Sequence, residues 1–375
     1  MLAHRNPTVL NALAFELRAL GVPPEILSGE PHSLRAALLA MSGGVAVLDI
    51  DLVPAATAVL RQVKGRLVVV TALPQDPRAA KLTQLGLEVV PAAQVAQHLA
   101  QALGLQAALP RAQDEAARPE GRAPIIVLHS PKGGAGTSTV AAHLASYWAN
   151  QGQQVALVDL APYGAQAVIF KVQQRSMGME ALIAALETTP AGMTDGSLDL
   201  ARYRASMAVK FGRLDLLGGA RPRIMDRLKA DQVGQLLERL AESSYDRVIV
   251  DTSTEPAPRN LAALAAADQI LLVGDPDFVC GWNMVHLQEL LGILQPTGQT
   301  LLVFNRVGSA LGLTADALAG RLQLPLAGIL PEDPQVTQLG NQGAPWELPP
   351  RSAFAGAIVQ LAAALVGEGE PALNG

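Results

Sequence analysis

The sequence predicts an α/β chain of two domains, each built on a mostly parallel sheet. Three observations predict it. Short apolar runs alternate with helical stretches from Gly43 to Leu103, the pattern of strands joined by crossover helices. A second series opens at Ile125 with a strand, a glycine-rich turn and a helix. Between them, LQAALPRAQDEAARPEGRAP carries three prolines, mixed charge and no sustained periodicity. The expected organisation is a first domain over residues 1–109, a linker over 110–123 and a second domain over 124–375. A length of 375 residues suits two domains.

Composition narrows the class. Half of the residues are hydrophobic, which excludes global disorder, and only 3% are aromatic, so Ala, Leu and Val must fill the core. The net charge of −5 disfavours a nucleic acid held on a broad basic surface. Arginines between Arg202 and Arg227 leave room for a local patch, though a solvated surface is the plainer reading. Cys280 is the single cysteine, so neither a disulfide within the chain nor a cysteine-based zinc site is expected. No signal-peptide pattern and no long uncharged apolar run occur, which makes a cytoplasmic protein without a membrane span the expectation.

In the first domain, helices are expected at Val9–Leu20, Val53–Val63, Asp76–Leu85 and Val95–Leu103. Strands are expected at Gly43–Asp51, Arg66–Leu73 and Leu87–Ala92. This order resembles a receiver domain of response regulators, a flavodoxin-like fold. Asp49 or Asp51 then stands where that family keeps its phosphorylated aspartate, and Thr71 matches its phosphate-facing hydroxyl. No apolar first strand with an acidic pair is legible before the first helix, and Pro91-Ala92-Ala93 stands where a receiver has lysine. A degenerate receiver used for docking is therefore expected. The bland alternative for Asp49 and Asp51 is a pair of solvated loop acids.

The second domain begins APIIVLHSPKGGAGTSTVAAHLASYWANQG: strand Ile125–Leu128, turn Ser130–Ser138, helix Val140–Ala149. Glycines let backbone N–H groups converge on an anion, and a helix N-terminus adds positive potential. Against G-x-x-x-x-G-K-[ST], Pro131 replaces the first Gly and Thr137 replaces the lysine. The loop resembles the deviant Walker A motif, K-G-G-x-G-K-[ST], of ParA/MinD-type ATPases. That resemblance gives Lys132 the role of a signature lysine reaching a dimer partner's nucleotide. It makes Gly133, Gly134, Ala135 and Gly136 the cradle, with Thr137 beside it, Ser138 the Mg²⁺-binding hydroxyl and Thr139 a neighbour of the α-phosphate. A missing lysine contact removes about 1.5–3 kcal/mol, or about one to two decades of ATP affinity.

The resemblance extends along the chain. Asp159-Leu160-Ala161 matches D-x-D with Ala161 in place of the second acid, which in the family helps activate water. Asp251, ending YDRVIVD, matches the Walker B aspartate, and Lys132, Asp159 and Asp251 are the catalytic candidates. Asn305, ending TLLVFN, resembles an adenine-reading asparagine, with loop capping as its alternative. Pro331, Glu332 and Asp333 resemble the loop that covers the base. A terminal helix over Ser352–Leu365, apolar and nearly free of Lys and Arg, is expected to pack on the core. Met207–Gly219 reads as a hairpin or strand.

Receiver-like domain, linker and deviant P-loop together resemble the TadZ/CpaE proteins, localisation factors of the Tad (Flp) pilus. YDRVIVD, ALAAADQILLV, FNRVG and ILPEDPQV…NQGAP carry that likeness. It implies ATP and Mg²⁺ as ligands of a face-to-face homodimer, with weak or absent hydrolysis. It also implies docking to Tad pilus or secretion components, or to a polar landmark, and a place at the cell pole or the inner face of the membrane through partners. Two alternatives stay open: an active ParA/MinD-like ATPase cycling on DNA or membrane, and a phosphorelay receiver with an ATPase output.

Overall fold

The structure, a computed structural model, describes residues 1–366 apart from 6, 20–21, 23, 28, 72–75, 96–97, 100–120, 173–177, 190–191, 193–195, 209–211 and 309–311. The described residues fall into two compact units. One holds the first sheet together with Leu287–Gln295, and the other holds the second sheet.

In the first unit, β1 (Leu2–Ala3), β2 (Val45–Asp49), β3 (Arg66–Thr71) and β4 (Glu88–Pro91) form a parallel sheet in the order β1-β2-β3-β4. Val68, Val69 and Val70 are wholly buried, as a central parallel strand requires. A strand does precede the first helix, Pro7–Ala19, contrary to expectation; two residues are too short to show alternation. A helix at Pro31–Ala40 was also not anticipated, although Pro31 in its first turn and buried Leu34 and Leu38, four apart, signal it. The stretch expected to be helical over Val53–Val63 keeps helix only at Val53–Ala56, between 3₁₀ turns at Ile50–Leu52 and Leu60–Gln62. Its β-branched Val53, Thr57, Val59 and Val63 weaken a continuous helix. The helix Pro77–Gln84 starts where Asp76 accepts the Arg78 N–H. The helix expected at Val95–Leu103 lies partly, and residues 110–120 of the expected linker wholly, outside the described residues.

Asp49 is not a solvated acid. It is buried and accepts N–H bonds from Arg5 (2.8 Å) and Asp51 (2.9 Å), with His4 Nδ1 3.3 Å away. Asp51 fits the bland reading, exposed and paired with Arg78 at 2.6 Å.

In the second unit, β5 (Ile125–His129), β6 (Gln154–Asp159), β7 (Ala205–Ala208), β8 (Arg213–Leu217), β9 (Arg247–Asp251), β10 (Gln269–Gly274), β11 (Gln299–Val307) and β12 (Leu326–Pro331) form one sheet. Their order is β12-β11-β10-β5-β9-β6-β8-β7, parallel throughout except for the edge pair β7–β8. That antiparallel pair gives form to the hairpin or strand expected at Met207–Gly219. From β5 the chain moves to β6 on one side, and from β9 it crosses to β10 on the other. The carboxyl end of β5 is thus the switch point where open α/β sheets bind ligands.

The helix Thr137–Asn150 lays Val140, Leu144 and Trp148 on this sheet. Buried Ala141, Ala142, Ala145 and Ala149 let it approach closely, which is how a core with few aromatics fills. The terminal helix, Ala353–Val366, buries Phe354, Ile358, Leu361 and Leu365 in the same cluster, each worth roughly 1.5–3 kcal/mol. It packs on the core as expected. Arg122 is tied into this unit, bonded to Glu238 (2.8 Å) and Asp268 (2.7 Å). No helix among the described residues is long and apolar enough to cross a membrane.

Candidate nucleotide-binding site

All five residues of β5 are buried, which fixes the point where the glycine loop leaves the sheet. Gly134 and Gly136 take left-handed φ of 87° and 96°, turning the loop into the helix at Thr137. A Cβ on Gly136 would sit 2.2 Å from Asn305 Nδ2, so this glycine is also sterically required. Asn305, buried near the end of β11, donates Nδ2 to the Ala135 carbonyl at 2.9 Å. The asparagine expected to read adenine is therefore also the clasp that holds the cradle. Ser138 and Thr139 follow in the first helical turn, where unpaired N–H groups favour an anion.

Lys132 does not lie free. Its Nζ donates to Asp275 Oδ2 and Asp277 Oδ2, both at 2.8 Å. Partial burial lowers its pKa, but the two carboxylates outweigh that and raise it, so the ammonium stays charged. The clamp is built by the turn after β10 and was not legible in sequence, because the partners lie far apart along the chain.

The two strand-end acids face each other in register, Asp159 of β6 opposite Asp251 of β9, both fully buried. Asp159 is absorbed by its own exit loop: Oδ1 accepts the Ala161 N–H and Oδ2 the Gln166 N–H, each at 3.0 Å. The loop is compact because Gly164 and Gly219 touch; a Cβ on Gly219 would meet Ala161 O at 2.5 Å. Burial, then the Asp251 charge, pushes the Asp159 pKa well above the ordinary range, against the pull of the backbone N–H groups. Burial raises Asp251 to about 6, against hydrogen bonds from Ser138 and Gln166.

Sequence reasoning missed Gln166. It is wholly buried, and its Nε2 donates to Asp251 Oδ2 (2.8 Å) and to the Ser138 carbonyl (2.9 Å). It ties the Walker B position to the start of the P-loop helix. A glutamine in a short apolar helix, Ala165–Ile169, is the one local signal that could have flagged it. Asp251 Oδ1 and Gln166 Oε1 are buried without a protein partner. Two unpaired oxygen acceptors beside a serine hydroxyl at a helix N-terminus suit a hard cation with its water shell, and Mg²⁺ fits that set.

A cleft of about 160 Å³ opens beside the loop, lined by Thr139, Asn305, Arg306, Pro331, Glu332 and Asp333 among others. The structure thus brings the expected base-covering residues together with Asn305. Glu332 N–H donates to Val307 O at 3.0 Å, holding β12 to β11. Asp333 caps the helix Pro334–Gln342 through the Gln335 N–H (2.9 Å) and accepts the Ser352 hydroxyl (2.6 Å). Arg306, held at a left-handed φ of 58°, is a cation of this cleft that sequence reading passed over.

Comparison with known proteins agrees with this geometry. The family described as CobQ/CobB/MinD/ParA nucleotide binding domain matches residues 126–346. The septum site-determining protein MinD of Synechocystis is 27% identical over 262 residues, 67% of this chain and 92% of that protein. An uncharacterised ATP-binding protein of Methanocaldococcus jannaschii is 26% identical over 246 residues, 64% and 87% of the two chains. Among solved structures, MinD of Pyrococcus horikoshii complexed with Mg-ADP superposes with a TM-score of 0.54 at 22% identity, covering 65% of this chain and 96% of that one. A chain of the MinC:MinD cell division protein complex of Aquifex aeolicus gives 0.55 at 23% identity, over 67% and 99%. These structural likenesses show a shared fold.

Proposed function

Because the chain belongs to the CobQ/CobB/MinD/ParA nucleotide-binding domain family, we propose that it binds ATP with Mg²⁺ as a structural ligand of a homodimer and hydrolyses it weakly or not at all. The observation that supports this reading is a glycine-rich loop entering a helix beside Asp251, in a sequence that lacks two parts of the related motif's hydrolytic set. Gly133–Gly136, Ser138 and Asp251 supply backbone amides, a hydroxyl and a carboxylate, while Thr137 and Ala161 stand where the related motif has a lysine and an acid. A threonine cannot bring a cation to the β- and γ-phosphates, and an alanine cannot orient water. Asp159, with both oxygens on backbone N–H groups, is a positioning residue for the loop that carries Gln166.

Dimer formation would draw Lys132 out of its carboxylate clamp toward the partner's phosphates, exchanging two aspartates for a more highly charged anion. Exposed apolar side chains flank the segments involved: Tyr163 and Val168 around Gln166, and Phe278, Val279 and Trp282 after Asp277. Such a concentration of exposed apolar area fits a protein contact. Nucleotide would then stabilise the dimer by mass action.

In the first unit, an isolated parallel bridge pairs Ile26 with Leu2, so the order runs Ile26, β1, β2, β3, β4. That is the 2-1-3-4-5 order of flavodoxin-like sheets. His4 and Arg5 follow β1 where a receiver would carry acids, which supports docking by residues 1–109 over phosphorylation of Asp49 or Asp51. Together with the sequence likeness to TadZ/CpaE, this supports a localisation or assembly factor of a Tad (Flp) pilus or related secretion machine. A calorimetric titration with ATP and Mg²⁺ tests the nucleotide reading. Saturable binding with no phosphate release over the titration is expected. No binding overturns it, and turnover abolished by Lys132→Ala would favour an active cycling ATPase.

A further inference from the structure

Arg306 is a charge without a counter-charge at the mouth of the phosphate loop. It stands near the end of β11, where the pairing with β12 shifts register between Phe304 and Val307. Such an irregularity re-aims the side chains it carries. Asn305 goes inward to the Ala135 carbonyl, while Arg306, at its φ of 58°, lines the cleft. A left-handed φ suits glycine and strains an arginine, and strain of this kind gathers at functional sites. The Arg306 side chain is exposed and makes no ion pair among the described residues, although Glu332 and Asp333 line the same cleft. Its Nε lies 3.9 Å from where a Cβ on Gly136 would stand. Gly136 is the cap of the helix Thr137–Asn150, so the guanidinium sits beside the unpaired N–H groups of the first helical turn.

We infer that Arg306 gives the phosphate chain of the nucleotide the cationic contact that the loop lacks at Thr137. The inference rests on the nucleotide reading above and adds a residue to it. Within the loop itself, Lys132 is held by Asp275 and Asp277, and Thr137 brings no charge. Arg306 reaches the loop from outside, at the residue just before Thr137. A phosphate group there meets backbone N–H groups from the helix and a guanidinium from β11, both favouring an anion. The guanidinium is a planar fork that bonds two phosphate oxygens at once, which a lysine ammonium does only as a point charge. Its charge also offsets the acids of the cleft. Without it, Glu332 and Asp333 would be the charges left lining the cleft, and their field would repel a polyphosphate.

The full chain is titrated with ATP by calorimetry and with adenosine by ligand-observed NMR. Arg306→Ala should weaken ATP about tenfold or more, the size of one charge-assisted hydrogen bond, and leave adenosine within about twofold of wild type. Arg306→Gly removes the cation and suits the left-handed φ, so it should lose the same affinity with a melting temperature at or above that of the wild-type chain. Loss of affinity in that variant cannot come from unfolding. Thr137→Lys placed in the Arg306→Ala chain should bring ATP affinity back to within about threefold of wild type, because a loop lysine supplies the missing charge. Unchanged ATP affinity in both Arg306 variants, with wild-type binding intact, overturns this inference and leaves the nucleotide reading standing. Adenosine weakened as much as ATP also overturns it, since the guanidinium would then act on the base. A wild-type chain that binds no ATP overturns the nucleotide reading and this inference together.

Discussion

Replacing Asp251 with Asn should make the ligand-free protein more stable at neutral pH while destroying its Mg²⁺-dependent nucleotide binding. Burial holds the Asp251 carboxyl at a pKa of about 6, against an ordinary 3.8, and its Oδ1 has no protein partner. A carboxyl whose pKa is raised on folding binds protons more tightly in the folded state. Stability from this group is therefore present below pH 4 and is lost as pH rises through 6. By pH 8 the loss is on the order of 3 kcal/mol. Asparagine keeps the shape and removes that cost, and it also relieves Asp159, whose pKa Asp251 helps to raise. Urea unfolding at pH 8 and pH 5 measures the effect. The variant should gain up to about 3 kcal/mol at pH 8 and about half of that at pH 5. A variant less stable than wild type at pH 8, or a difference that does not change with pH, would refute the reasoning.

The same ionisation should govern ligand binding. Mg²⁺ needs the Asp251 carboxylate, so Mg-ATP affinity should hold above pH 7 and fall below pH 6, approaching about tenfold per pH unit, as calorimetry across buffers would show. Gly136→Ala should cut ATP affinity at least about tenfold with little change in circular dichroism, because its Cβ drives Asn305 off the Ala135 carbonyl at a left-handed φ. Lys132→Ala should leave ATP binding to the monomer within about threefold of wild type but eliminate nucleotide-dependent dimerisation, which titration and light scattering together distinguish.

Much of this site was legible because its parts lie on local patterns. An apolar strand, three glycines and a hydroxyl pair mark the cradle, and apolar strands ending in Asp159 and Asp251 mark the acids. The C-terminal helix was legible from its apolar face. What sequence reasoning missed depends on contacts between distant segments. Gln166 looks like an ordinary helix residue until β6 and β9 bring Asp159 and Asp251 side by side. The Lys132 clamp needs β10 to lie beside β5, with a turn placing Asp275 and Asp277 over the loop. Asn305 as a clasp needs β11 to end level with Ala135. In the first unit, Leu2–Ala3 was too short for periodicity. The burial of Asp49 was not legible because its partners, the N–H groups of Arg5 and Asp51, carry no side-chain signature.

Light scattering of the wild-type chain with Mg-ATP, followed over hours without replenishing nucleotide, tests the central claim most directly. The account predicts that the mass doubles on adding Mg-ATP and stays doubled, because the nucleotide holds the dimer and is not consumed. A mass that never changes, or that rises and then decays as phosphate is released, would contradict it.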